Sequence, residues 1–287
     1  KTVWSERIFT SVGGGLYEAV RPAPSVNRIY ARLTAAACGR RLHVMVDSIA
    51  KNATWLGAGQ IVGKLISLLT YASITRRLGD AGFGRFNYSF SLMEMVAIAT
   101  LLGLPILYTR HLAADRPLLA EATVVAKHRL TLVVGLIALV TVYVTADHFP
   151  AHLHLLMLGA MIARGYMMFG SAGLRGREQM RPEAMAHIIG RTVFALCAGA
   201  GVWLVPAEHA LPVAFIGFLA GELASTLSIS VAMNRAGLRW RPSGPPMTRL
   251  IQVAKDSVPF AAAALLGVIA VRIDAVMLRD LLGAGAG

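Results

Sequence analysis

From Trp55 onward, apolar runs long enough to cross a bilayer alternate with short polar links. A membrane-crossing helix needs about 20 such residues. The pattern predicts spans near 55–75, 87–108, 130–147, 152–172, 184–204, 211–233 and 256–277. The third is the shortest. Runs such as 132–144 and 211–219 have no polar face, which a helix at the surface of a water-soluble protein would need. Trp55, Tyr108, Tyr143, Trp203 and Trp240 fall near the span ends, where amphipathic rings favour the headgroup layer. The expected fold class is all-α, a polytopic transmembrane helical bundle of about seven spans. Links this short leave no room for a soluble catalytic domain.

Polar positions inside the spans are few and patterned. Leaving out histidines and span ends, the charged ones are Lys64, Glu94, Arg164, Arg191, Glu222, Arg272 and Asp274. Each costs roughly 2.5–3.5 kcal/mol at the centre of a lipid-exposed helix, so such residues face a bundle interior or a wet cavity. Gln60, Lys64, Ser67, Tyr71 and Thr75 recur at steps of four, three, four and four, which is one helical face. Asn87, Ser91 and Glu94 repeat the idea in the second span, and Glu222, Ser225 and Thr226 in the sixth. Part of this polarity could serve only to join helices, as Gly59-x-x-x-Gly63 and Gly217-x-x-x-Gly221 do by close packing. Arg272 and Asp274 point to different faces of one regular helix and each need another partner. Basic groups outnumber acids among the deep charges. That surplus suits an anionic cargo such as a phosphate or diphosphate head group.

Composition agrees with a membrane protein. Of 287 residues, 56% are hydrophobic and 15% charged, with a mean hydropathy of +0.60. Ordinary soluble domains are about 45–50% apolar and about 25% charged. The two cysteines, Cys38 and Cys197, exclude a disulfide-stapled module. The net charge of +13 would suggest nucleic acid in a soluble protein, but its placement explains it. Alternate links are basic: the N-terminal segment, 109–129, 173–183 and 234–255 together hold twenty Lys and Arg. The opposite links hold three, Arg76, Arg77 and Arg85. The positive-inside rule then places the N-terminus in the cytoplasm, and no nucleic-acid partner is expected. Residues 1–50 read as a basic, largely disordered or surface-lying cytosolic extension. Met45-Val46-Asp47-Ser48 reads as a natural start, which leaves residues 1–44 either native or upstream of it.

Other chemistry is thin. His148, His152 and His154 crowd one link without a cysteine nearby and read as interfacial, so no metal site is expected. Gly170-Ser171-Ala172-Gly173 lacks the spacing of a nucleophile elbow. There is no phosphate loop of the Gly-Lys-Ser/Thr kind, so no ATP use and no cofactor is expected.

The first span ends in Arg76-Arg77-Leu78-Gly79 with Phe83-Gly84 beyond. The seventh ends in Leu278-Arg279-Asp280-Leu281-Leu282-Gly283. Two Leu-Gly elbows six spans apart are the signature of a parallel six-helix repeat. With Asn52, Gly59-Gln60, the Ser-rich helix from Ser89, Leu102-Gly103-Leu104, Arg272-Ile273-Asp274 and Met277-Leu278, these residues resemble the bacterial polysaccharide (O-antigen type) flippases. Those belong to the multidrug/oligosaccharidyl-lipid/polysaccharide exporter superfamily. The resemblance implies two six-helix lobes about a central cavity in the inner membrane and flipping of undecaprenyl-diphosphate-linked oligosaccharide by alternating access. It also implies that the protein is not an enzyme and that its partners are the polysaccharide polymerase and chain-length proteins. Lys64, Arg191 and Arg272 lie at the depth of the cations that would hold the diphosphate, with Gln60, Ser67, Glu94, Arg164 and Asp274 as cavity polar or coupling groups. The expected organisation is an extension over 1–50, a first lobe over 51–250 and the start of a second lobe over 251–287, a truncated form of the family's architecture. A multidrug or lipid II exporter of the same superfamily, an intramembrane glycosyl- or phosphotransferase and a non-transporting scaffold remain alternatives.

Overall fold

The computed structural model describes the backbone of residues 24–144, 150–240 and 244–282, and the side chains of 51–143, 150–240, 244–264, 266 and 267. Among the described residues there is no strand. The chain divides into two compact units, Lys1–Lys51 and Asn52–Gly287. In the first, the backbone is helical from Pro24, in the segment expected to be a largely disordered or surface-lying extension. The alanines and arginines of that stretch are strong helix formers.

Helix α1 runs over Pro24–Ala99 but is broken at Gly79, whose φ of 65° and ψ of −178° no helix contains. Tyr71 and Phe86 lie on either side of that break with ring centroids 6.4 Å apart. On an unbroken helix fifteen residues would separate them by roughly 22 Å. The chain therefore turns back at Gly79, and the Leu-Gly elbow joins two antiparallel arms. A left-handed φ makes glycine the natural residue here. Then follow α2 (Leu104–Ala113), α3 (Pro117–Val144), α4 (Ala151–Gly176) and α5 (Met180–Phe194). Helix α5 continues through a π-helical turn at Ala195–Ala200 into α6 (Gly201–Leu204); α7 (Ala207–Arg235) and α8 (Met247–Leu282) complete the order.

Four helical segments among the described residues are long and apolar enough to cross a membrane: Pro117–Tyr143, Ala151–Gly176, Met180–Leu204 and Ala207–Arg235. The pair Lys51–Ala99 and Leu104–Ala113, bent by 42°, makes a fifth if taken as one span. The expected number of about seven is larger. It counted the two arms about Gly79 separately and included α8, whose side chains past Gly267 lie outside the described residues. The third span is also longer than expected. It starts at Pro117, so Lys127 and Arg129 belong to a helix and not to a link.

Small residues set the packing. A Cβ on Gly59 would lie 2.7 Å from that of Ala184, and one on Gly63 would lie 3.6 Å from the Cγ of Arg191, so the first arm rests on α5. Gly217 and Gly221 bring α7 within backbone contact of Ala198 and Gly190. Phe86, Phe90, Phe194, Phe215 and Phe218 fill one half of the core edge to face. Gly170 and Gly173 press α4 on α7 and Tyr108, and Ser171 is buried against the sulfur of Met167. The Gly-Ser-Ala-Gly run is thus a packing surface.

Two pairs of links with like charge pattern lie in contact. Arg77, in the link 76–86, donates to the carbonyls of Val202 and Val205 (3.0 and 2.9 Å) beside the link 205–210. In the other pair Asn52 donates to the carbonyl of Glu178 at 2.9 Å, and Arg181 stacks over Trp55. His154 departs from expectation. It is fully buried and shares a 2.9 Å hydrogen bond with Ser89, whereas an interfacial position was expected.

Lys127 also departs from expectation. Between α1 and α2 the backbone unwinds at Thr100–Gly103, with Leu102 and Gly103 at φ 32° and 76°. The Leu104 N–H bonds Leu101 instead of Thr100, which frees the Thr100 carbonyl. Fully buried Lys127 donates to that carbonyl at 3.1 Å and to the Thr100 hydroxyl at 2.9 Å, under the Tyr166 ring. An orphaned buried carbonyl costs about 1–3 kcal/mol. Lys127→Met should therefore melt several degrees below the parent protein in detergent, more than Thr100→Val does. Equal melting points would remove this role from Lys127.

Candidate functional site

The stripe of polar residues on the first arm becomes one wall of a cavity of about 300 Å³. Gln60, Lys64, Ser67 and Tyr71 line it from the first arm and Phe90 from the second. Arg164 of α4 and His187 and Arg191 of α5 complete the wall. The elbow at Gly79 is what sets Phe90 opposite Lys64. The small steps at Gly59 and Gly63 bring α5 close enough for Arg191 to share the space. Ser67 bonds its own helix, donating to the Gly63 carbonyl at 2.8 Å.

Five residues singled out from sequence therefore meet: Gln60, Lys64, Ser67, Arg164 and Arg191. Glu94 stands beside them, its carboxylate 3.9 Å from Arg164. Glu222, only 2% exposed, lies 3.4 Å from Arg191. Thr75 belongs to the same stripe but bonds the Tyr71 carbonyl. Arg272 and Asp274 sit on the helical backbone of α8, and their side chains lie outside the described residues.

The ion pairs differ in kind. Arg175 grips fully buried Glu183 with two guanidinium nitrogens, including Nε at 2.9 and 3.1 Å, a forked bond that consumes both partners. The pairs at Arg164 and Arg191 are looser and leave guanidinium donors facing the cavity. Lys64 has no carboxylate within 4 Å among the described residues. It stands nine residues past Trp55, about 14 Å along the helix axis. Three basic side chains thus meet two carboxylates, and the surplus is at Lys64. Arg164 stacks on Phe90 at 5.9 Å and Tyr71 packs edge-on to Phe194 at 5.5 Å, which fixes the shape of the wall.

His187 was missed from sequence. It is one turn before Arg191 and one turn after Glu183, whose carboxylate lies 4.0 Å away. The steps Glu183, His187, Arg191 place all three on one face of α5, and that periodicity is the signal that could have found it.

A family model described as polysaccharide biosynthesis protein matches residues 49–287. No curated protein matches the chain, and no solved structure does.

Proposed function

Because this chain belongs to the polysaccharide biosynthesis protein family, we propose that it works in flipping undecaprenyl-diphosphate-linked oligosaccharide across the bacterial inner membrane for cell-surface polysaccharide. Its N-terminus is then cytoplasmic, and the polymerase and chain-length proteins are its partners. The observation that carries the reading is the cavity that Lys64 shares with Arg164 and Arg191, with no carboxylate within 4 Å of Lys64 among the described residues. A diphosphate diester carries two negative charges, and guanidinium groups match its oxygens in planar, forked geometry. In the cycle we propose, Lys64, Arg164 and Arg191 take the diphosphate while the cavity is open to the cytoplasm. Gln60 and Ser67 offer neutral polar contacts. Rocking of the lobes then opens the cavity outward, and water weakens the pairing enough for release.

The test is flipping of a labelled undecaprenyl-diphosphate glycan in proteoliposomes, or surface polysaccharide in cells lacking their own flippase, at equal protein expression. Charge-assisted hydrogen bonds are worth about 1.5–3 kcal/mol, so Lys64→Gln should lower flipping roughly 10- to 100-fold while Lys64→Arg keeps most of it. Unchanged flipping by Lys64→Gln would sink the reading.

A further inference from the structure

One face of α3 carries a second site, away from the central cavity. Pro117, Glu121, Val124, His128, Thr131 and Gly135 follow one another at helical spacing. The first three line a cavity of about 340 Å³ at the start of the helix, the last three a groove of about 530 Å³ between α3 and α4. The cavity gathers Arg116, Arg177 and Arg239 from three different links, with Asp115 and Glu121. Arg116 precedes Pro117, Arg177 follows Gly176, and Arg239 is four residues past Arg235, so all three stand at the ends of apolar helices, at headgroup level. None has a carboxylate within 4 Å among the described residues.

A second observation points into the same cavity. Tyr108 is only 2% exposed and stacks on Phe169 at 4.6 Å. Its side chain lines the cavity, so its hydroxyl can donate to a group bound there. The groove below has a different character. It is bounded by Leu132, Leu136, Leu155 and Leu158, and Gly135 and Gly159 also line it.

We propose that this face holds one anionic glycerophospholipid of the bilayer. Its phosphate lies among Arg116, Arg177 and Arg239 and accepts from the Tyr108 hydroxyl. Head-group hydroxyls donate to Asp115 and Glu121, and one acyl chain lies in the α3–α4 groove. Three guanidiniums against two carboxylates leave one positive charge, which a singly charged phosphate diester neutralises. A zwitterionic head brings its own ammonium and leaves the surplus standing. From Ala120 to Gly135 is about 22 Å along the helix, within reach of a glycerol backbone and a long acyl chain. A basic pocket between membrane helices at headgroup level is suited to an anionic head group.

The full chain, reconstituted in nanodiscs of mixed phosphatidylglycerol and phosphatidylethanolamine and then delipidated, is examined by native mass spectrometry. One phosphatidylglycerol should stay bound per chain, at least 10-fold in preference to phosphatidylethanolamine. Arg177→Gln with Arg239→Gln should lower that retention at least 10-fold, whereas Lys64→Gln leaves it unchanged. Dihexanoyl phosphatidylglycerol should compete poorly, because it leaves the groove empty. Equal retention of phosphatidylethanolamine, displacement by millimolar inorganic phosphate, or full competition by the short-chain lipid would each overturn the proposal.

Discussion

Replacing Gly190 by leucine is expected to abolish recovery of monodisperse protein, and Gly190→Ala to lower the melting point markedly. Gly190 is where α5 and α7 cross. A Cβ there would overlap the Ser225 side chain and sit 2.8 Å from the Gly221 carbonyl oxygen. Reciprocally, a Cβ on Gly221 would lie 2.8 Å from the Gly190 carbonyl oxygen and 2.8 Å from the Phe194 Cβ. Ser225 could rotate away, but two backbones cannot. Overpacking of a close-packed core costs about 1–3 kcal/mol, and more when backbone must move. Membrane helices rely on this packing because lipid gives them little hydrophobic reason to associate. Gly57→Ala and Gly84→Ala are the controls, since a Cβ at either meets nothing within 4 Å. Melting in detergent with size-exclusion profiles decides it. A Gly190→Leu protein that behaves like the Gly84→Ala control would show that the crossing does not hold the lobe together.

The second large effect concerns the pair next to that crossing. Arg191→Gln leaves Glu222, 2% exposed, without the basic group 3.4 Å away. One Glu222 oxygen, Oε2, already lacks a hydrogen-bond partner among the described residues. Breaking a buried pair from one side costs about 3–5 kcal/mol because a charge is left uncompensated. Glu222→Gln should cost less, since Arg191 borders the cavity and can reach water there. The double variant Arg191→Gln with Glu222→Gln should regain most of the lost stability, as a pair of neutral amides carries no stranded charge. Flipping should stay low in the double variant if Arg191 also holds cargo. A double variant that recovers both stability and flipping would reduce Arg191 to a helix-joining role. One that recovers neither would mean that the two residues are not coupled as their distance implies.

Some of this arrangement was plain in the chain itself, for reasons that concern single helices. The stripe of Gln60, Lys64, Ser67 and Tyr71 is a property of one helical face, and all four line one cavity. The steps at Gly59, Gly63, Gly217 and Gly221 are likewise local; Gly59, Gly217 and Gly221 make close approaches, and Gly63 an ordinary contact with Arg191. Periodicity says which residues share a face. It does not say which helix that face meets. Hence Lys127 read as one more basic residue of a link, although it caps a carbonyl freed by a break 27 residues earlier. His154 read as interfacial for the same reason, and its partner Ser89 is 65 residues away. His187 lay on a face with Glu183 and Arg191 but drew no attention, because neutral histidine adds no charge to a count.

By itself the sequence determined that the chain is an all-helical membrane protein, that its links alternate in charge, and that several costly polar residues lie deep in the apolar runs. These follow from residue type and helical period, which need no neighbour. Only the tertiary structure decided how those charges combine. Arg164 and Arg191 are matched by Glu94 and Glu222 from other helices, which leaves Lys64 as the unmatched one among the described residues. It also decided that three arginines far apart in the chain share one pocket with a buried tyrosine. The physical reason is that electrostatic balance depends on distances of a few ångströms between helices. Those distances are set by elbows such as Gly79 and by close crossings such as Gly190 on Gly221.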